Sequence, residues 1–254
     1  MTTSIFVRKG YFAAKESGTD LRDGDKFNPG GYFEARGLVE SNAALFKRVG
    51  YDHHNTWKFD PITEEQAAAI SDLEPVDTDV SLLKEFNDNS PWVWKDPRLC
   101  YTLGYWWQLV DQNTTCVLLL RRSDEEIFNS FQRIGLREGS EDDRVDVEQR
   151  SWSHINSAKR AIQDFNIPHC EIDYSKFRED PHQVIEQIRS TIGLSLTLED
   201  LGFRAEFDHS SGRGSRELRL ERISRKMPRW LVAAVKKYVP NRILKYFFPT
   251  HYQN

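Results

Sequence analysis

Residues 116–130 read CVLLLRRSDEEIFNS. Five apolar residues, Cys116 to Leu120, run straight into Arg121 and Arg122 and then into an acidic stretch. The apolar run predicts a buried strand over 116–120. Asp124, Glu125 and Glu126 suit the first turn of a helix over 124–137, where the helix dipole favours anions. A strand that leaves the core on two arginines therefore points them to where it meets solvent, or a ligand.

The same reading extends outward. Trp92-Val93-Trp94 and His169 to Ile172 have the composition of short strands. Helical spacing of apolar residues predicts helices over 4–16, 35–48, 62–73, 78–87, 99–109, 147–164 and 180–192. In the third of these, Thr63 and Gln66 have the spacing of a capping box. GTDLRDGDKFNPGGYFE (18–34) is rich in turn residues, and EGSEDDRVD (138–146) reads as a charged loop. Strands separated by helices predict an α/β fold of three layers with a mainly parallel sheet. Ligands of such sheets bind beyond the carboxyl ends of the strands.

Composition sets the class. The chain has 254 residues, 39% hydrophobic and 29% charged, enough for a sizeable core. No apolar run approaches a membrane span, and the opening MTTSIFVRKGYFAAKESG is too polar for a secretory signal. A cytoplasmic protein is the expectation. Cys100, Cys116 and Cys170 are odd in number and widely spaced, which suggests thiols buried in the fold rather than disulfides or a metal site. The histidines show no ligand spacing, and His53-His54 read as exposed loop residues. Charge is uneven. Residues 211–254 carry eleven Lys and Arg against two Glu, a surplus of nine on a chain of net −4, so residues 1–210 carry −13.

The residues at each strand's carboxyl end define the candidate site. Lys95-Asp96-Pro97-Arg98 come after the first strand, Arg121-Arg122-Ser123-Asp124 after the second, and Asp173-Tyr174-Ser175 after the third. Two strand ends carry cations, and the helices after them offer free N–H groups, a combination that binds anions. The competing reading pairs the arginines with Asp124, Glu125 or Glu126 on the surface.

These stretches carry a resemblance. WKDPRLCYTLGYWW (94–107), CVLLLRRSDEEIFNSF (116–131) and IPHCEIDYSKFREDPHQVIEQIRSTIGL (167–194), in this order, resemble the sulfotransferase superfamily that uses 3′-phosphoadenosine 5′-phosphosulfate (PAPS). NPGGYFE (28–34) is similar to the NPxGYFE segment of its bacterial branch, and the matches span about residues 20–195. The resemblance implies a P-loop-kinase-like fold and in-line transfer of a sulfuryl group to a hydroxyl or amine of a small molecule, sugar or lipid, without a metal. It implies Arg122 and Ser130 as ligands of the 3′-phosphate, with Arg121 their neighbour; Asp124 stands where the family has proline. Lys95 matches the lysine that faces the sulfuryl group, and Glu34 the catalytic base of carbohydrate-type members. Their plainer alternatives are a Lys95–Asp96 pair and a Glu34 that opens the next helix. Arg98 would bind substrate or brace its loop. Arg213-Gly214 correspond to a late basic segment that also touches the 3′-phosphate.

The family's Gly-rich loop for the 5′-phosphosulfate has no counterpart after a strand here; Glu16-Ser17-Gly18-Thr19 is the nearest string. Lacking two or more of that loop's charge-assisted hydrogen bonds predicts PAPS binding weakened by on the order of a hundredfold. A weak or inactive sulfotransferase is thus expected, and the alternative is a degenerate member that only binds a 3′-phosphonucleotide. A third reading is a binding module for a partner or a membrane surface. Residues 1–210 form the expected α/β domain and 211–254 a basic helical extension. Within the extension, 219–248 includes the amphipathic PRWLVAAVKKYV (228–239), which suits peripheral contact with anionic lipid or docking on the acidic body. The acidic body and the absence of aromatic–basic RNA motifs argue against nucleic acid.

Overall fold

A computed structural model describes residues 2–14, 20–22, 24 and 31–201. The chain divides into two compact units: Met1–Arg122 with Asp146–Phe203, and a second to which Ser123–Val145 belongs. The predicted extension 211–254 lies outside the described residues.

The first unit begins with helix α1 (Thr2–Arg8), then α2 (Arg36–Arg48), α3 (Glu64–Ser71), α4 (Asp77–Asp88) and α5 (Leu99–Trp107). Strand β1 (Val117–Arg121) follows. Helix α6 (Asp124–Ile134) lies in the second unit, and α7 (Glu141–Asp164) starts there and continues into the first. The first unit ends with β2 (His169–Asp173), α8 (Lys176–Glu179), α9 (Pro181–Ile192) and α10 (Leu198–Leu201). Local signals explain several ends. Thr63 and Gln66 close the predicted capping box on α3. Ser123 caps α6, and Asp180 caps α9 with Pro181 in its first turn. Gly193 stops α9 in a left-handed conformation at φ 71°, which glycine adopts without steric cost.

The fold is mostly helical, with β1 and β2 forming a two-stranded parallel sheet in the register Val117↔His169 to Arg121↔Asp173. It is mixed α/β, as expected, but not a clear three-layer sandwich. Leu118 and Leu120 join a core with Ile5, Ile172, Val184 and Ile188, while Leu119 joins another with Ala158, Ile162 and Ile167. Alternation along the strand thus feeds two clusters. A third core, built on Leu38, Phe46, Ile70, Phe86 and Trp106, binds α2 to α5.

Three expectations are corrected. Trp92–Trp94 is not a strand: its backbone makes one parallel bridge, to Phe12, and the tryptophan rings pack on one another and on Phe86. Pro91 and Pro97 bracket the segment and supply no N–H for a ladder. Helix α1 stops at Arg8, with Gly10 at φ 89° behind it, instead of continuing to 16. The charged loop at 138–146 is largely the start of α7. The Asp143 carboxylate accepts from the N–H groups of Glu138, Gly139 and Ser140, and the Ser140 hydroxyl accepts from Asp143 N–H. Acidic residues there stabilise a helix start.

The three thiols are free. Cys170 is buried and Cys100 and Cys116 half-buried; burial pushes the Cys116 thiol up to about 11 and Cys100 to about 12. His53 and His54 are exposed, as expected. No helix among the described residues is long and apolar enough to cross a membrane.

Gly104 is the contact point of α5. A Cβ there would sit 2.3 Å from Ser71 Oγ and 2.7 Å from Phe165 Cε2. Helix propensity alone would make Gly104→Ala favourable by about 1 kcal/mol. Overpacking costs roughly 1–3 kcal/mol and outweighs it. Urea denaturation of Gly104→Ala should show a net loss of stability.

Candidate functional site

The site starts with the turn that delivers Glu34. Leu21 and Ala35 form an antiparallel bridge, in which Arg22 N–H donates to Glu34 C=O at 2.9 Å and Arg36 N–H to Asp20 C=O at 2.8 Å. Phe33, just before Glu34, sits at φ 54°, a left-handed conformation uncommon for a bulky residue. Such backbone outliers persist where the surroundings hold them and gather at functional positions.

The Glu34 side chain is 3% exposed and engages two cations. Arg22 Nη1 donates to its Oε2 at 2.9 Å, and Lys95 Nζ donates to its Oε1. The Arg22 guanidinium also lies 3.9 Å above the Tyr32 ring, and Lys95 Nζ lies 5.9 Å from it. Glu34 and Lys95, 61 residues apart, thus meet in one ion pair. The plainer pairing of Lys95 with Asp96 is not the one formed.

Asp96 is committed elsewhere. Its Oδ1 accepts from Arg98 N–H and Arg98 Nη1, both at 2.9 Å, and its Oδ2 accepts from Asn42 Nδ2 at 2.9 Å. Asn42 Oδ1 accepts in turn from Thr102 Oγ1 and Trp106 Nε1, each at 2.8 Å. Arg98 Nε donates to His54 C=O at 2.9 Å. Of the two roles open to Arg98, bracing the loop is the one these contacts fill. The network ties α2, α5 and the 51–60 loop to the residue beside Lys95. A buried charge satisfied in this way is costly to disturb, because removing one partner leaves the others desolvated.

The predicted phosphate ligands fall at separate places in the chain. Arg122 is exposed at the carboxyl end of β1, its guanidinium 5.4 Å from the centre of the Tyr174 ring. Tyr174 N–H donates to Arg121 C=O at 2.7 Å, which sets these residues side by side. Arg121 is a structural neighbour: it pairs with Glu171 at 2.7 Å, and Lys159 joins the same carboxylate at 2.9 Å. These two cations hold the Glu171 carboxyl below its usual range, against the opposing effect of burial. Glu125 pairs with Arg144. Ser130, in the second unit, accepts from Arg133 Nη2 at 3.4 Å. Arg213, Gly214 and the 219–248 segment lie outside the described residues, as do Asn28 to Gly30 of the NPGGYFE stretch. Among the described residues, no three His, Cys, Asp or Glu gather as a metal-ligand set.

Three participants were missed in sequence. Arg22 and Tyr32 lie in a turn-rich stretch without a periodic signal. Asn42 had one: it falls among Leu38, Leu45 and Phe46 on the buried face of α2, where a polar residue needs an internal partner.

Comparisons with protein-family models, with curated proteins and with solved structures find no match.

Asn42→Ala should separate the network from ordinary packing. It strips partners from Asp96, Thr102 and Trp106 at once, and the expected loss is about 3 kcal/mol. Thr63→Ala, which removes an exposed cap, should cost about 1 kcal/mol. Urea midpoints of the two variants check the ordering.

Proposed function

We propose that this chain is a sulfuryl transferase, taking its donor group from PAPS and delivering it to a hydroxyl or amine of a small molecule, sugar or lipid. The reading is supported above all by the meeting of Glu34 with Lys95. Those are the two residues that the resemblance casts as proton acceptor and sulfuryl-facing cation, and they lie far apart in sequence. The finer fold that goes with it is a P-loop-kinase-like three-layer arrangement, a reading that the parallel pairing of β1 with β2 supports. A cytoplasmic setting and peripheral membrane contact through 219–248 belong to the same proposal.

PAPS supplies an activated sulfuryl group on a phosphate leaving group. The protein's tasks are then electrostatic. Lys95 offers a cation, and its neighbours Asp96 and Arg98 hold that part of the loop. Glu34 takes the acceptor's proton once one of its oxygens is released by Arg22 or Lys95; an anion competing for Lys95 promotes that release. Arg122, exposed beside Tyr174, offers a charge-assisted contact to the 3′-phosphate.

One observation favours a second reading. Both Glu34 oxygens are taken by cations, the arrangement of a structural ion pair. On that reading the chain binds a 3′-phosphonucleotide without transferring sulfate.

Calorimetry with 3′-phosphoadenosine 5′-phosphate, together with a radiolabelled sulfate-transfer screen, distinguishes the two. Arg122→Ala should weaken nucleotide binding about tenfold or more, the loss of one charged hydrogen bond. Glu34→Gln should preserve binding and lower transfer by about 10²–10⁴-fold. Binding without transfer in the wild type selects the second reading. No binding at millimolar nucleotide overturns both.

A further inference from the structure

A buried titratable cluster outside that site surrounds His154 on α7. His154 is 3% exposed, and its neighbours Thr56 and Tyr101 are at least as buried. Its Nδ1 lies 2.7 Å from the Arg150 carbonyl oxygen, which accepts a proton and cannot donate one. The proton of the neutral ring is therefore on Nδ1, and Nε2 is the acceptor for the Thr56 hydroxyl at 2.8 Å. Trp57 stacks on the imidazole at 4.3 Å between centroids and 12° between planes. One ring thus holds two consecutive residues of the 51–60 loop, by a hydrogen bond to Thr56 and a stack on Trp57.

Protonation changes what this ring can do. An imidazolium carries two donors and no acceptor, so the Thr56 hydroxyl proton loses its partner inside the core. The groups facing the ring do not compensate for the charge. From its own helix comes Arg150, a cation paired with Asp146 at 2.8 Å. Arg150 also donates to Thr56 C=O at 3.0 Å and to Phe59 C=O. From α5 comes Tyr101, whose hydroxyl lies 3.2 Å from Nδ1 and 3.0 Å from Ser153 Oγ. The face of Trp57 attracts a cation, but burial dominates and pushes the imidazole down to about 4.

We propose that His154 is an acid-operated latch: neutral, it holds the 51–60 loop against α7, and its protonation releases that loop together with the His54 carbonyl that holds Arg98. The latch does not depend on the transferase reading, since every contact in it is internal to the chain. Opening exposes the ring and restores its ordinary affinity for a proton. The closed loop is therefore fully favoured above the ordinary value of 6.5 and loses ground as pH falls from there toward 4. By proton linkage, the open fraction of the loop rises about twentyfold between neutral pH and about pH 5.

Hydrogen exchange of the full chain, corrected for the intrinsic pH dependence of amide chemistry, reads this directly. The peptide covering 52–60 should gain about thirtyfold in opening between about pH 7.5 and pH 5, with α3 and α9 unchanged. In protein labelled with ¹³C-histidine, the His154 resonance should titrate well below the ordinary histidine value of 6.5. His154→Gln should identify that resonance and abolish the pH-dependent part of the exchange at 52–60. If that variant does not fold, the wild-type exchange and titration still decide. The proposal is overturned by a His154 that titrates at or above the ordinary value of 6.5. It is equally overturned by opening that spreads evenly over α3, α5 and α9, or by unchanged pH dependence in His154→Gln.

Discussion

One buried carboxylate, Asp96, holds the candidate site together. It receives donors from its own loop and from α2, and the acceptor side of Asn42 passes the connection on to α5. Once Asp96 is desolvated it must be satisfied; Arg98 and Asn42 do this, and Thr102 and Trp106 fix Asn42 in turn. That placement directs Lys95 away from its sequence neighbour and toward Glu34. A single electrostatic requirement thereby places a cation opposite a carboxylate that reaches it from another part of the chain.

The surroundings convert this requirement into rigidity. Phe86, Trp92, Trp94 and Trp106 pack edge to face behind the loop, with ring centroids 4.9–6.1 Å apart. Aromatic contacts of this kind resist sliding better than aliphatic ones of equal area, because the preferred angles are specific. In front of the loop, Arg98 reaches the His54 carbonyl, so the 51–60 loop becomes part of the support. His154 holds the same loop through Thr56 and Trp57. Arg150 donates to Thr56 C=O and Phe59 C=O as well, so two cations and one neutral imidazole act on a segment that contains no helix or strand.

Much of the local structure was legible. Thr63 with Gln66, the acidic start of α6 and the Asp180-Pro181 start of α9 act through residues three or four apart, so their effect needs nothing distant. The two strands were visible, β1 as a short apolar run and β2 as a short run of strand composition. Trp92–Trp94 looked the same and is not a strand, because strand identity depends on a partner with free N–H and C=O groups. The acidic start of α7 was mistaken for a loop because charge density alone does not distinguish a solvated turn from a capped helix. At the site, Glu34 and Lys95 were named through resemblance and found together, while Arg22, Tyr32 and Asn42 went unrecognised because their partners lie elsewhere in the chain.

The division follows the range of each force. Sequence by itself determined what short-range sterics and hydrogen bonds control: the capped starts of α3, α6 and α9, which runs are apolar enough to bury, and that cations come after two candidate strands. Only tertiary structure decided which charge meets which. Lys95 had Asp96 next to it and still paired with Glu34, because a carboxylate taken into the core selects its partners by the geometry of every donor around it, and that geometry is set by packing.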